Sequence, residues 1–211
     1  RTRRDAGLET ARRERLMRVR STAAESHLLD AVEGYARAIW RGNGAHDRAV
    51  QLVAITIARR AASSTLALER TLTRRLLLLG SAAEPMQPSL PWDDEDESDG
   101  AGSAAMLARP GLASESDERA LIEHLLALIP SSEAGSKIRW LIRALARITE
   151  PAIVFTEYRD TVDAVLAALP PAVRAGSISG ASPPALRRHG VEAFNRGDLD
   201  ALIATDAAGE G

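Results

Sequence analysis

The chain has 211 residues, of which 45% are hydrophobic and 27% charged, and its formal net charge is −2. This length suffices for one large or two small domains with buried cores, and the balanced charge provides no global basic field for nucleic acid. The absence of cysteine excludes disulfides and thiolate metal sites, and the scattered histidines have no metal-ligand spacing. No apolar run reaches the ~20 residues of a membrane span and no signal peptide is visible, so the sequence predicts a cytoplasmic protein without membrane contact.

The first 80 residues predict a helical region after a basic, irregular start at residues 1–20. Ser21 or Thr22 can cap the first helix, and Glu25 stands where a capping box places an acid. Gly42 and the residues after it end that helix. The apolar spacing predicts three helices, at residues 23–41, 45–62 and 64–79, with Ser63 or Ser64 as the cap of the third. Short turns between them favour packing as antiparallel neighbours.

A polar stretch at residues 81–115 combines proline, glycine and serine with the acidic run DDEDESD at 93–99. Such a composition buries too little apolar surface to offset its ordering entropy, so we expect a flexible linker. An acidic run can alternatively mimic nucleic acid. A helical pair at 118–129 and 134–148 follows, and Ser131 or Ser132 is the expected cap of its second helix.

The period changes after residue 150, where short β-branched runs begin to alternate with helical segments. This alternation predicts a parallel sheet with helical crossovers. The predicted order is strand 152–155, helix 160–169, strand 176–179, helix 183–194 and strand 201–205. A proline at the start of the second helix is compatible with a helix N-terminus.

Polar residues follow each predicted strand, and in parallel sheets ligands bind at this edge. Thr156 to Arg159 follow the first strand, Gly180 to Ser182 the second, and Asp206 to Gly211 the third. Hydroxyls, backbone N–H groups freed by glycine and one arginine are groups that bind phosphate. By spacing alone, an ordinary doubly wound domain with polar loops explains the pattern equally well.

Three sequence blocks in this part resemble the Swi/Snf-type branch of the superfamily 2 helicases and ATPases. IVFTEYRDTVDAVLAAL (153–169) resembles motif IV, and LIATDAAGEG (202–211) resembles motif V. SGASPPALRRHGVEAFNRG (179–197) resembles the block between them. In that block of the family, a glycine stands seven residues before an arginine, and a phenylalanine stands seven residues after the arginine. Gly180, Arg187 and Phe194 satisfy both intervals. The arginine-rich start and AASSTLALERTLTRRL (61–76) are similar to the segments between the motor lobes of RapA-like and phage-defence members.

The resemblance implies an α/β fold class: a mainly helical N-terminal region followed by a partial RecA-like lobe of three α/β/α layers. It also implies a division of the chain into four parts. These are a helical inter-lobe region (1–80, with 1–20 closing the first motor lobe), an acidic flexible linker (81–115), a helical pair (116–150) and a partial helicase C-terminal lobe with motifs IV to V (151–211).

The same resemblance assigns expected roles to individual residues. Binding of the nucleic-acid phosphate backbone would fall to Thr156, Arg159 and Thr205. Coupling of that contact to the ATP cleft would fall to motif V, with Asp206, Gly209, Glu210 and Gly211. Structural roles would fall to Gly180, Arg187 and Phe194, with the arginine pairing or capping within its lobe and the phenylalanine in the core.

The function implied is that of a fragment of an ATP-dependent translocase acting on nucleic acid, with duplex DNA favoured over RNA. ATP and Mg²⁺ would serve the parent protein, whose first RecA-like lobe would be a partner of this segment. No GxxxxGK[ST] loop, no acidic Walker B motif after a strand and no motif VI arginine is found in this sequence. We therefore expect the isolated chain to bind neither cofactor and to lack ATP hydrolysis. The alternative is a non-enzymatic helical module for protein interaction; a free-standing nucleotide-binding protein is disfavoured, since no glycine-rich fingerprint is present.

Overall fold

The computed structural model describes residues 14–42, 47–80, 101–130 and 134–205. Helices dominate the first part, and strands alternate with helices in the second, which confirms the predicted fold class. Among the described helices, none combines the length and apolar character that crossing a bilayer requires. The elements are α1 (Ala23–Arg41), α2 (Arg48–Ser63), α3 (Thr65–Leu78), α4 (Ala101–Ala108), α5 (Glu115–Leu128), α6 (Ser136–Leu145), β1 (Ala152–Thr156), α7 (Arg159–Ala168), β2 (Ala175–Ile178), α8 (Pro184–Asn195) and β3 (Ala201–Thr205).

The start of α1 is fixed by the predicted capping box. The Glu25 backbone N–H donates to Thr22 Oγ1 at 3.2 Å, and the Thr22 N–H donates to the Glu25 carboxylate at 2.7 Å. At the other end, the Gly42 N–H donates to the Ala38 carbonyl at 2.9 Å. The capping box satisfies backbone N–H groups at the start of α1, and the Gly42 N–H satisfies a backbone carbonyl at its end. The bounds of α1 therefore agree with those predicted from the sequence.

The start of α6 differs from the prediction. The expected cap from Ser131 or Ser132 is wrong, because the N-cap is Gly135, which has no side chain to donate or accept; both serines lie outside the described residues. Glu25 of α1, which is distant in the sequence, caps α6 instead. Its carboxylate accepts hydrogen bonds from the Ser136 N–H and from Ser136 Oγ, both at 2.5 Å. One carboxylate therefore caps two helix N-termini.

This double cap predicts a specific loss of stability in acid. Burial alone raises the pKa of Glu25, but hydrogen bonds from Ser136 and Thr22 outweigh it and lower the pKa from its ordinary value of 4.5 to about 2. The carboxylate therefore stabilises the fold above pH 4.5, and this contribution is lost as the pH falls towards 2. In urea unfolding from neutral pH to pH 2, we expect Glu25→Gln to be less stable than wild type at neutral pH and the difference to vanish in acid. A constant difference across this range would contradict the assignment.

Helices α1 to α5 enclose one hydrophobic core. Helix α4 contributes Met106 and Leu107, which are both buried. The predicted flexible linker at 81–115 is therefore wrong over residues 101–115, which form α4, a loop and the start of α5; residues 81–100 lie outside the described residues. The reason is tertiary: a polar network from other helices fixes this segment.

The centre of that network is the guanidinium of Arg75 on α3, which is fully buried. Its Nε donates to the Tyr35 hydroxyl at 2.7 Å, and its Nη1 donates to the Leu107 carbonyl at 3.1 Å. Its Nη2 donates to the Arg109 carbonyl at 3.1 Å and also contacts the carboxylate of Glu118. Arg75 therefore holds the C-terminal end of α4 against α3.

Glu118 on α5 completes the network and is also fully buried. Its Oε2 accepts hydrogen bonds from the backbone N–H groups of Gly111 at 2.6 Å and Leu112 at 3.0 Å, and its Oε1 accepts one from Tyr35 at 2.8 Å. Burial alone raises the pKa of Glu118, but Arg75 and these hydrogen bonds hold it below its usual range. The carboxylate therefore stays charged and fixes the loop between α4 and α5.

The second part of the chain is a parallel three-stranded sheet in the order β1–β3–β2. Side chains alternate between its faces, so Ala201 and Ile203 pack beneath α6 and α7, whereas Leu202 and Ala204 pack beneath α8. The last strand in the sequence is thus the central one. Its five residues are all buried, as expected for a strand covered on both faces.

Candidate nucleic-acid interface

Thr156 and Thr205 lie side by side where β1 and β3 end. The strand register pairs Phe155 with Ala204 and Thr156 with Thr205. Neighbouring strands are about 4.8 Å apart, and paired residues of a parallel sheet point to the same face. The structure therefore brings together two of the three residues expected to contact phosphate, on the face that α7 covers.

The hydroxyl of Thr205 is buried without a hydrogen bond. The residue is 4% exposed, and its Oγ1 has no hydrogen-bond partner in the part of the chain that the structure describes. A buried hydroxyl without a partner costs about 1–3 kcal/mol, so such a group is uncommon where no function requires it.

A second hydroxyl pair follows β2. The register pairs Ile178 with Ala204, which places Ser179 at the level of Thr205. The Ser179 N–H donates to Ser182 Oγ at 3.0 Å, and the two serine hydroxyls are 3.2 Å apart. The turn between them contains Gly180. The sequence predicted Ser179 as the last strand residue, and its position at the level of Thr205 became visible only with the register.

Arg159 is the first residue of α7 and is exposed. Its guanidinium forms no ion pair or side-chain hydrogen bond within the described ranges. The N-terminus of a helix carries a partial positive charge that favours anions. Arg159 and this helix end thus add positive potential next to the Thr156 hydroxyl.

The start of α7 is also bound to the helical region, through contacts that we call the α7 latch. Asp160 accepts hydrogen bonds from Arg60 at 2.7 Å and from Arg70 at 2.5 Å, and Asp163 accepts one from Arg70 at 2.8 Å. The hydrogen bonds that Arg70 donates to both aspartates raise the pKa of its guanidinium. Thr161, a buried residue, bonds through its hydroxyl to two serines at the junction of α2 and α3, Ser63 at 2.8 Å and Ser64 at 2.9 Å.

Two further contacts belong to the α7 latch. Glu157 pairs with Arg59, and the guanidinium of Arg60 lies 4.6 Å from the ring centroid of Tyr158. Sequence reasoning missed these partners. They are about a hundred residues apart in the chain, and no local pattern in a single sequence connects them.

The residues expected to have structural roles lie around α8. Phe194 is partly buried and packs against the cluster of Ile178, Leu202 and Ala204. Arg187 is partly buried, and in the described part of the chain its side chain shows neither the pairing nor the capping that the sequence suggested.

The four motif V residues, Asp206, Gly209, Glu210 and Gly211, lie outside the described residues. Their expected coupling role stays a prediction. Within the described ranges, no cluster of histidine, aspartate and glutamate side chains is arranged to hold a metal ion.

Residues 136–211 match the family model described as the helicase conserved C-terminal domain. This segment is about a third of the chain and includes α6, the whole sheet, α7 and α8. The match supports a helicase C-terminal lobe in this part of the molecule. The chain matches no curated protein sequence.

The fold resembles a solved structure, the helicase domain of Hef from Pyrococcus furiosus, with a TM-score of 0.52 and 14% sequence identity. The similarity covers 97% of this chain, so it includes the helical part as well as the sheet. The chain spans about half of that structure, 48% of its length. At this identity the likeness concerns the fold alone.

Proposed function

We propose that this chain is part of an ATP-dependent translocase or helicase of superfamily 2, of the Swi/Snf type, and that its strand-end edge binds the phosphate backbone of duplex DNA. The observation that carries the proposal is the pairing of Thr156 with Thr205 at the ends of adjacent strands, within the segment that matches the helicase C-terminal domain. Two hydroxyls at strand spacing, one of them buried without a partner, suit the oxygens of a phosphate.

Each residue then has a distinct role. Thr156 and Thr205 donate hydrogen bonds to phosphate oxygens, and Arg159 adds a full positive charge beside them. None of these contacts reads a base, so this edge follows the backbone without selecting sequence. The order of the three motif-like blocks supports the Swi/Snf subtype.

ATP hydrolysis belongs, in this proposal, to the parent protein. Phosphoryl transfer requires a phosphate-binding loop, Mg²⁺ ligands and a charge-neutralising arginine together. ATP and Mg²⁺ would bind where this lobe meets the first RecA-like lobe, and Asp206, Gly209, Glu210 and Gly211 would link that cleft to the DNA edge. A cytoplasmic location fits such a role.

The experiment is salt-dependent binding of duplex DNA by the 211-residue chain. We expect wild-type affinity to fall steeply with salt, since phosphate contacts release counterions. The variant Thr156→Ala/Arg159→Ala/Thr205→Ala should bind at least about tenfold more weakly, because hydrogen bonds to a charged group contribute about 1.5–3 kcal/mol each. Duplex RNA and single-stranded DNA, titrated in parallel, measure the preference for duplex DNA.

A matched control is Arg37→Ala/Thr73→Ala, which removes an exposed arginine and an exposed threonine on α1 and α3. It should bind as wild type does. Equal binding by the strand-end variant, or no binding of wild type at low salt, would contradict the proposal. The helical interaction module would then be the better hypothesis.

A further inference from the structure

We propose that the α2–α3 hairpin is a positioning element for the DNA edge: by holding the start of α7 through the α7 latch, it fixes Thr156 and Arg159 in the geometry that phosphate binding requires. This inference rests on the proposed function of that edge. It assigns to the helical region a role in binding that needs no contact between the hairpin and DNA.

The connection between β1 and α7 makes such control direct. Only Glu157 and Tyr158 separate Thr156, the last residue of β1, from Arg159, the first residue of α7. A connection this short transmits any shift of α7 to both phosphate-binding residues. Tyr158 is itself buried, so the connection cannot move independently of its surroundings.

The latch holds this connection from the helical side at consecutive positions. Glu157 pairs with Arg59, the guanidinium of Arg60 lies over the Tyr158 ring, and Asp160 bridges Arg60 and Arg70. Thr161 adds the hydroxyl contacts to Ser63 and Ser64. Residues 157, 158, 160 and 161 thus each contact α2, α3 or their junction. Arg159, which is proposed to bind phosphate, forms no ion pair or side-chain hydrogen bond among the described residues.

The two sides of α7 differ in chemistry. Its apolar side, with Val162 and Val165, packs on the sheet together with α6. Its side towards the hairpin is polar, made of ion pairs and hydroxyls, most of them partly exposed. Loss of the latch should therefore leave α7 folded on the sheet but free to shift at its first turn.

The latch also controls the charge around Arg159. Glu157, Asp160 and Asp163 place three carboxylates near this arginine, and each pairs with an arginine of the hairpin. Without these partners, the carboxylates would attract Arg159 and repel a phosphate. In the latched state these carboxylates are paired with hairpin arginines, and Arg159 is exposed without an ion-pair partner among the described residues.

The test uses Arg60→Ala/Arg70→Ala to open the latch, and a disulfide to close it again. The chain has no cysteine, and Ser63 Oγ lies 2.8 Å from Thr161 Oγ1, so Ser63→Cys/Thr161→Cys can form a single defined bridge. Couplings between sites are commonly 5–150-fold, and we expect the opened variant to bind duplex DNA at least about fivefold more weakly. The oxidised bridge in the opened variant should restore binding, and reduction should abolish the gain.

A matched control is Arg37→Ala/Arg48→Ala, which removes the same charge from exposed positions of α1 and α2 and should leave binding nearly unchanged. If the opened variant binds as wild type does, the inference is wrong. It is equally wrong if the oxidised bridge restores nothing, because the arginines would then act by touching DNA or by their charge.

Hydrogen exchange without DNA gives an independent measure of the latch. Backbone amides of the first turn of α7 should exchange faster in the opened variant and return to the wild-type rate with the oxidised bridge. Unchanged exchange would overturn the inference even if DNA binding changes. Failure of the proposed function looks different: wild type would not bind DNA, or the strand-end variant would bind equally well, whatever the state of the latch.

Discussion

Replacing Arg75 with alanine is expected to lower the free energy of unfolding by about 3–5 kcal/mol, because it leaves the carboxylate of Glu118 buried without its partner charge. Both side chains are fully buried, and Arg75 also satisfies the carbonyls of Leu107 and Arg109 and the hydroxyl of Tyr35. Such a loss is a large fraction of the stability of a typical domain. Urea unfolding followed by circular dichroism measures it, with the change expected in the midpoint.

The control for Arg75 is Arg37→Ala, which breaks an exposed pair with Glu33 at 2.6 Å and should cost about 0.5 kcal/mol or less. A double variant, Arg75→Met/Glu118→Gln, should be less destabilised than the sum of its single changes, because no charge is then buried unpaired. Were Arg75→Ala no more harmful than Arg37→Ala, the network would not be what holds α4 in place.

Truncating Ile203 to alanine is expected to cost about 2–5 kcal/mol, since it leaves a cavity in the centre of the sheet. Ile203 is fully buried in β3 and packs with Ile138, Val162 and Val165 beneath α6 and α7. These neighbours come from two helices, α6 and α7, so the site cannot collapse by moving one side chain. Thermal and urea unfolding of the purified variant measure the loss.

The chain offers a matched control in Ile153 on β1, which is the same residue type in the same sheet but 48% exposed. Ile153→Ala should lower the free energy of unfolding by less than about 1 kcal/mol, because truncating a half-exposed side chain removes little buried apolar area. Similar losses in the two variants would mean that β3 is not the central, covered strand.

The regular elements were largely predictable because their signals are local. The capping box at Thr22 and Glu25 fixed the start of α1, Ser64 caps α3 by accepting from the Ala67 N–H at 3.1 Å, and β3 has the bounds predicted from its apolar run. In each case the residues that determine the boundary lie within a few positions of it.

Helix α4 was not predictable by the same reasoning. The helix is short, most of its residues are small, and a polar stretch precedes it, so the composition predicted a linker. The end of α4 is held by Arg75 on α3, and the loop that follows it is held by Glu118 on α5. No sequence period indicates that Arg75 is buried. Tertiary contacts decided the structure here.

The location of the candidate site at the strand ends could be predicted from the sequence, but the contacts around it could not. Strand order and the motif-like blocks pointed to Thr156, Arg159 and Thr205, and the register places the two threonines side by side. The missing hydrogen bond of Thr205 within the described residues and the α7 latch depend on packing between distant segments. A single sequence carries no record of such contacts.

The central place of β3 has a consequence for how the protein is made. Among the described residues, the outer strands β1 and β2 do not pair with each other, and each pairs with β3, which ends at Thr205. The ribosome synthesises about 5–20 residues per second, from the N-terminus onwards. The helices up to α5 can therefore pack before β3, the pairing partner of both outer strands, has been synthesised. This order predicts that the sheet forms in one step, when the middle strand leaves the exit tunnel and inserts between two strands already synthesised.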